Sequence, residues 1–106
     1  MKHQTWAILP IKYLTKYGSH YLPPKISEIS GNMKKDNFVQ LVFRSNNGPH
    51  SCISVEKLWC RITGFEDGLY YGKLMDHPIL IEGLKRGDFI RFSHDYVVGI
   101  NERMGA

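Results

Sequence analysis

The clearest pattern in the chain runs from Leu58 to Phe92, where apolar residues alternate with polar and aromatic ones up to Glu66-Asp67-Gly68 and the alternation resumes beyond it. A period of two interrupted by Asp-Gly predicts an antiparallel hairpin. With a two-residue loop at Asp67-Gly68, Ile62 would face Lys73 and Arg61 would face Leu74. Directly paired residues share one side of a sheet, so that register would mix apolar and charged positions. A three-residue loop, Glu66-Asp67-Gly68 with Gly68 left-handed in a G1 bulge, instead sets Phe65 opposite Leu69, Ile62 opposite Gly72, Cys60 opposite Leu74 and Trp59 opposite Met75. This is the register the pattern favours.

It separates two faces. Leu58, Cys60, Ile62, Tyr70, Gly72 and Leu74 form the apolar side, the expected core face. Trp59, Arg61, Thr63, Phe65, Leu69, Tyr71, Lys73 and Met75 form the other, with Arg61 directly opposite Lys73, Trp59 diagonal to Lys73 and Tyr71 diagonal to Arg61. Rings and cations therefore share a surface. The same pattern fits a sheet covered on both sides, the N-terminal region lying over this face and the cations reaching out from its margin.

The rest of the chain supplies shorter elements. Trp6 to Leu9 reads as a strand ended by Pro10, with a turn or two of helix after it carrying Tyr13, Leu14 and Tyr17. Residues 18–36, punctuated by Pro23-Pro24, Ser30-Gly31-Asn32 and Lys34-Lys35-Asp36, read as a surface-draped connection with one turn near Ile26 to Ile29. Phe38 to Arg44 is β-branched and aromatic, a buried strand. Asn47-Gly48 signals a turn, and Ile53 to Val55 lead into the hairpin. Beyond it, Ile79-Leu80-Ile81 and Phe89 to Phe92 read as two more strands. Gly83 and Gly87 supply the turns between them, and Asp88 is placed to fix its turn by accepting backbone N–H groups. Tyr96 to Ile100 closes the series, and residues 101–106 have little to bury. The expected fold is α+β, mainly β: a small, strongly bent antiparallel sheet or partly open barrel. Residues 1–106 form a single domain, with 1–36 as N-terminal covering segment and loop and 37–100 as β-rich core.

Length and charge narrow the function classes. A chain of 106 residues, 42% hydrophobic and 23% charged, supports one core and leaves no room for a separate catalytic domain. No apolar run approaches the ~18 to 20 residues that span a bilayer, and the stretch before Pro10 is too short for a signal peptide, so no membrane partner and a cytoplasmic address are expected. Cys52 and Cys60, without paired-motif spacing, suit a reducing compartment. The net charge of +4 favours acidic partners, although the cations are scattered and form no nucleic-acid tail.

Candidate chemistry is sparse. His3, His20, His50, His77 and His94 show no helical i, i+4 spacing, and His50 with Cys52 is the one close pair of soft ligands, so no metal or other cofactor is expected. The pairs Asp76-His77 and His94-Asp95 could approach across the sheet, but turn-borne pairs of this kind more often cap or face solvent. His50 and Cys52 can share a side of an extended segment, yet no oxyanion site accompanies them. There is no G-x-S-x-G elbow. Gly83 to Asp88 lacks the lysine, hydroxyl residue and helix of a phosphate loop. The chain is therefore expected not to be an enzyme. Trp59 and Tyr71 beside Arg61 and Lys73 offer what a single-stranded nucleic-acid site uses, rings that stack bases for roughly 1 to 3 kcal/mol each. They equally offer the residue types that dominate protein interfaces.

The runs Val39 to Phe43, Glu56 to Ile62, Tyr71-Gly72-Lys73-Leu74, Asp76-His77-Pro78 and Leu84 to Phe92 together resemble a group of small bacterial domains of unknown function. Their pattern is a strand, an acidic residue shortly before Met-Trp-Val, a Gly-x-Leu, an Asn-x-Pro and a Leu-x-x-Gly-Asp-x-Val-x-Phe. Here Leu58 replaces the usual Met, His77 stands between Asp76 and Pro78, and residues 1–36 have no counterpart. The resemblance covers residues 38–100 and implies a β-rich, cytoplasmic, single-domain bacterial protein. Some members of the group are taken to be immunity proteins beside secreted toxins. The expectation is a non-enzymatic binding domain that recognises another protein through Trp59, Arg61, Tyr71 and Lys73, with RNA or single-stranded DNA as the alternative ligand.

Overall fold

A computed structural model describes residues 5–10, 33–45 and 54–101. Among them, β1 (Trp6–Ile8), β2 (Phe38–Ser45), β3 (Val55–Glu66), β4 (Leu69–Leu74), β5 (Phe89–Phe92) and β6 (Val97–Asn101) build one antiparallel sheet. The order is β1-β2-β3-β4-β5. β6 lies on the same edge of β2 as β1, end to end with it: Trp6 to Ile8 pair with Ser45 to Phe43, and Val97 to Asn101 with Leu41 to Phe38. The sheet curls strongly into a half-barrel. The helical turns expected after Pro10, the connection through residue 32, the Asn47-Gly48 turn, Ile53 and residues 102–106 lie outside the described residues.

Alternation along the strands makes the concave face the core. Leu58, Cys60 and Ile62 of β3 are buried, as are Val39, Leu41 and Phe43 of β2, Leu74 of β4, Ile90 and Phe92 of β5 and Val97 of β6. Gly72 lets β4 and β5 close over this face: a Cβ there would sit 3.1 Å from the Phe92 ring and 3.3 Å from the Arg61 carbonyl oxygen. The opposite face is covered at one end, where Leu9 and Val42 are buried with Val55 and Val98 packed against them.

The hairpin corrects one expectation. Its loop is two residues, not three: Glu66 pairs with Leu69, and Asp67 and Gly68 both have positive φ, 54° and 80°, the conformation of a type I′ turn. The residue needed to separate the faces sits instead in β3, where the register shifts between Ile62 and Gly64. Asp-Gly in a type I′ turn matches the strand twist, so the extra residue is accommodated as a bulge. The Thr63 hydroxyl, at that bulge, donates to the Tyr71 carbonyl at 3.2 Å. Below it the expected pairs hold, Ile62 with Gly72, Arg61 with Lys73 and Cys60 with Leu74. Above it the phase changes: Phe65 pairs with Tyr70, not Leu69, and leaves the Trp59 face. Its ring lies 4.5 Å from that of Tyr70, which stacks on Phe92 at 5.8 Å.

The second correction concerns Ile79-Leu80-Ile81, which is not a strand. Residues 75–88 form a strap across one end of the half-barrel, held by carboxylates. Both Glu56 carboxylate oxygens accept the Ile79 N–H at 3.0 Å, and Oε1 also accepts that of Leu80 at 2.9 Å. Asp76 Oδ2 accepts the Trp59 N–H at 2.8 Å while the Trp59 carbonyl accepts the Met75 N–H at 2.9 Å, so a side chain replaces the next ladder acceptor. Ile81 and Leu84 plug into the core, and the Glu82 carbonyl accepts the Thr5 hydroxyl. A run of apolar residues after Pro78 becomes a strap because these N–H groups find carboxylates before they find a strand. The one helical element among the described residues is the 3₁₀ turn His94–Tyr96. No helix there is long and apolar enough to cross a membrane.

Candidate functional site

The convex face of β3, β4 and β5 gathers the candidate residues. Trp59 and Cys60 point to opposite sides: Cys60 is wholly buried and Trp59 half-buried. Arg61 lies directly across from Lys73, and Tyr71 is two residues along β4 from Lys73 on the same side, so Trp59, Arg61, Tyr71 and Lys73 share one surface. The indole reaches across β2 toward β6, its Cη2 3.8 Å from the position a Cβ on Gly99 would take, and Gln40 is its direct neighbour on β2.

The register extends this surface to residues that the sequence pattern alone did not single out. Phe38 pairs with Arg61 on one side of β3, and Phe89 pairs with Lys73 across β4. One transverse row therefore reads Phe38, Arg61, Lys73, Phe89, a ring at each end and two cations between. The next row sets Tyr71 beside Arg91. Phe89 is 76% exposed, the most exposed ring of the set. The signal for Phe89 and Arg91 was the alternation Phe89-Ile90-Arg91-Phe92. Using it requires the β4–β5 register, which is set by the turn at Lys85–Asp88: the Asp88 N–H donates to the Lys85 carbonyl and Asp88 Oδ2 accepts the Lys85 N–H at 3.0 Å. Gly87 takes φ 94° at the position where this turn needs it.

Among the described residues no carboxylate pairs with Arg61, Lys73 or Arg91, and the Arg61 Nε, shielded from solvent, has no hydrogen-bond partner. The Lys73 stem passes beside Gly87, its Cε 4.0 Å from the position a Cβ there would take. A surface of positive charge interleaved with rings, its cations meeting no carboxylate among the described residues, attracts acidic ligands and offers them flat apolar contacts.

Cys60 and three of the carboxylates are otherwise engaged. Burial, reinforced by the nearby Asp76 charge, pushes the Cys60 thiol up to about 12, so it stays protonated at neutral pH and behaves as a small apolar group. Glu56, Asp76 and Asp88 each accept backbone N–H groups. Asp76-His77 and His94-Asp95 are not brought together, since the Asp76 carboxylate turns to Trp59 and that of Asp95 accepts the Ser93 hydroxyl. Among the described residues no three His, Cys, Asp or Glu side chains gather as a metal site. His50 and Cys52 lie outside the described residues. Compared with protein-family models, with curated proteins and with solved structures, the chain matches none.

Proposed function

We propose that this chain is a non-enzymatic, cytoplasmic bacterial binding domain that recognises an acidic protein through the convex face of β3–β5, in the manner of a toxin-neutralising immunity protein. The supporting observation is the pair of rows Phe38–Arg61–Lys73–Phe89 and Tyr71–Arg91, in which no cation meets a carboxylate among the described residues. Trp, Tyr and Arg dominate interface energetics, and surface cations steer an acidic partner and set its orientation. The test is affinity capture from native cell extract, followed by titration of the recovered partner. Arg61→Gln with Lys73→Gln is expected to weaken binding at least tenfold without lowering the melting temperature, and Trp59→Ala to weaken it further. Recovery of no protein, or of one indifferent to all three changes, refutes the reading.

The same unneutralised cations beside stacking rings favour a second reading, RNA or single-stranded DNA. Three phosphate contacts on a single strand give a log–log salt slope near 2, roughly a 20-fold loss of affinity between 50 and 200 mM salt. Titration with oligo-dT and oligo-U decides it: binding that is absent, or indifferent to salt, removes this reading.

A further inference from the structure

We propose that the open seam of the half-barrel, between β1 and β5, takes one extended segment of a partner protein as an added strand, with apolar side chains facing the core and an acidic one facing Arg91. This goes beyond recognition by the convex face and does not rest on it. The seam opens into a groove of about 720 Å³, walled on one side by Trp6, Ala7 and Ile8 and on the other by Phe89, Arg91 and Phe92, with Ser93 and Tyr96 of the β5–β6 connection and Leu69 and Tyr71 of β4 completing its lining.

Three observations point to a strand. First, the β5 edge offers hydrogen bonds. The Leu74 N–H donates to the Asp88 carbonyl, so in the β4–β5 ladder the N–H and C=O groups of Ile90 and Phe92 turn to β4 while those of Phe89 and Arg91 turn outward. Among the described residues no strand pairs with that edge. By the same alternation, the Leu9 N–H donates to the Val42 carbonyl, and the Ile8 backbone groups turn away from β2 toward the groove. Second, the size fits. With a rise of ~3.4 Å, a strand spacing of ~4.8 Å and a sheet separation of ~10 Å, each residue of a packed strand fills roughly 160 Å³. Four residues, the length of β5, then fill roughly 650 Å³. Third, the side-chain chemistry alternates with the required period. Positions on the core side of an added strand would meet Trp6, Ile8 and Phe92, and those on the convex side would meet Arg91, which has no acidic partner among the described residues.

The walls also select the occupant. Both are strand edges, so a guest must be a single strand; the sheet edge of a second copy, backed by its own neighbouring strand, does not fit. Main-chain pairing supplies affinity and alternate side chains supply selectivity in this mode of recognition.

The probe is an end-capped, fluorescein-labelled peptide of sequence Val-Glu-Val-Glu-Val, titrated by anisotropy into the full chain and followed by amide shifts in the ¹⁵N-labelled protein. The peptide is expected to bind at sub-millimolar concentration, to shift and protect the Phe89, Arg91 and Ile8 amides, and to weaken at least tenfold when its Val or its Glu residues are N-methylated. Arg91→Gln should weaken it severalfold, but leave Val-Gln-Val-Gln-Val unaffected, whereas weakening by Lys73→Gln with shifts centred on the Arg61 and Lys73 amides would place the peptide on the convex face and overturn the proposal. The N-methylated peptides keep the test independent of whether a variant folds, and the Lys73→Gln arm separates failure here from failure of the convex-face reading. No binding at 1 mM, equal binding of both N-methylated forms and the parent, or shifts that avoid β1 and β5 would overturn the proposal.

Discussion

Replacing Asp76 by alanine probes whether a carboxylate substitutes for the backbone at the end of β4. The Asp76 Oδ2 to Trp59 N distance is 2.8 Å in a partly buried setting, and a hydrogen bond to a charged acceptor contributes ~1.5 to 3 kcal/mol. The Trp59 carbonyl keeps its bond to the Met75 N–H, so alanine orphans one donor and leaves the rest of the ladder intact. The expected loss is about 2 kcal/mol, and because a domain of this size loses ~4 to 8 °C per kcal/mol, the melting temperature should fall by roughly 10 °C. Asparagine retains an acceptor without the charge and should cost about half as much. Glu56→Ala is the internal control. Its three acceptor contacts go to two N–H groups at an exposed turn, where water replaces much of the bond, and it should cost less than about 1 kcal/mol. The assay is urea unfolding followed by tryptophan fluorescence, checked by calorimetry. An Asp76→Ala midpoint within 0.3 M of the parent, or a Glu56→Ala variant less stable than Asp76→Ala, would refute the reasoning.

Three further outcomes are expected. Gly72→Ala should cost about 1 to 3 kcal/mol by overpacking, because its methyl would sit 3.1 Å from the Phe92 ring and 3.3 Å from the Arg61 carbonyl; an unchanged unfolding midpoint contradicts it. Iodoacetamide should fail to label native Cys60 at pH 8 and label it readily in urea, as read by peptide mass spectrometry, since the thiol is buried and its pKa is pushed up from 9.0 to about 12. The same shift makes stability pH-dependent. The folded chain holds this proton more tightly than the unfolded one, so the contribution is complete below pH 9 and is lost as pH rises toward 12, by up to about 4 kcal/mol. Urea midpoints from pH 8 to 10.5 should therefore fall more steeply in the parent than in Cys60→Ala, and parallel slopes would remove the argument.

Much of the sheet was legible because burial on one face imposes a period of two. Leu58 to Ile62 shows it directly, and the pairs from Cys60–Leu74 to Ile62–Gly72 follow from it; Phe38 to Arg44 was legible instead as a continuous β-branched and aromatic run, buried on both faces at Leu41 to Phe43. Where the surplus residue of the hairpin would go was not legible. Face separation fixes how many residues lie between Ile62 and Gly72, and a three-residue loop or a two-residue turn plus a bulge at Thr63 satisfies that count equally. Turn twist decides between them, and Phe65 changes sides as a result. The strap was misread for a different reason: Ile79 and Leu80 look like strand residues, but their N–H groups meet Glu56, 23 and 24 residues earlier in the chain, and such a partner leaves no local trace. Phe89 and Arg91 escaped because their side of the sheet depends on a register set at Lys85–Asp88.

Three carboxylates, Glu56, Asp76 and Asp88, accept backbone N–H groups at the ends of β3, β4 and β5. Asp76 ties the end of β4 to β3, Glu56 holds the strap to β3, and Asp88 closes the turn that leads into β5, and these strands carry Arg61, Lys73, Phe89 and Arg91 outward. A surface whose backbone is fixed before a partner arrives loses less ordering entropy on binding, so a given set of contacts yields more affinity. Residues that only hold backbone groups in place can therefore matter for recognition. Asp76→Asn, which meets the convex face only through the Trp59 backbone N–H, should weaken partner binding only as far as it loosens the end of β4. That loss should track the amide exchange of Met75 and Leu74 and leave the charge dependence of association unchanged.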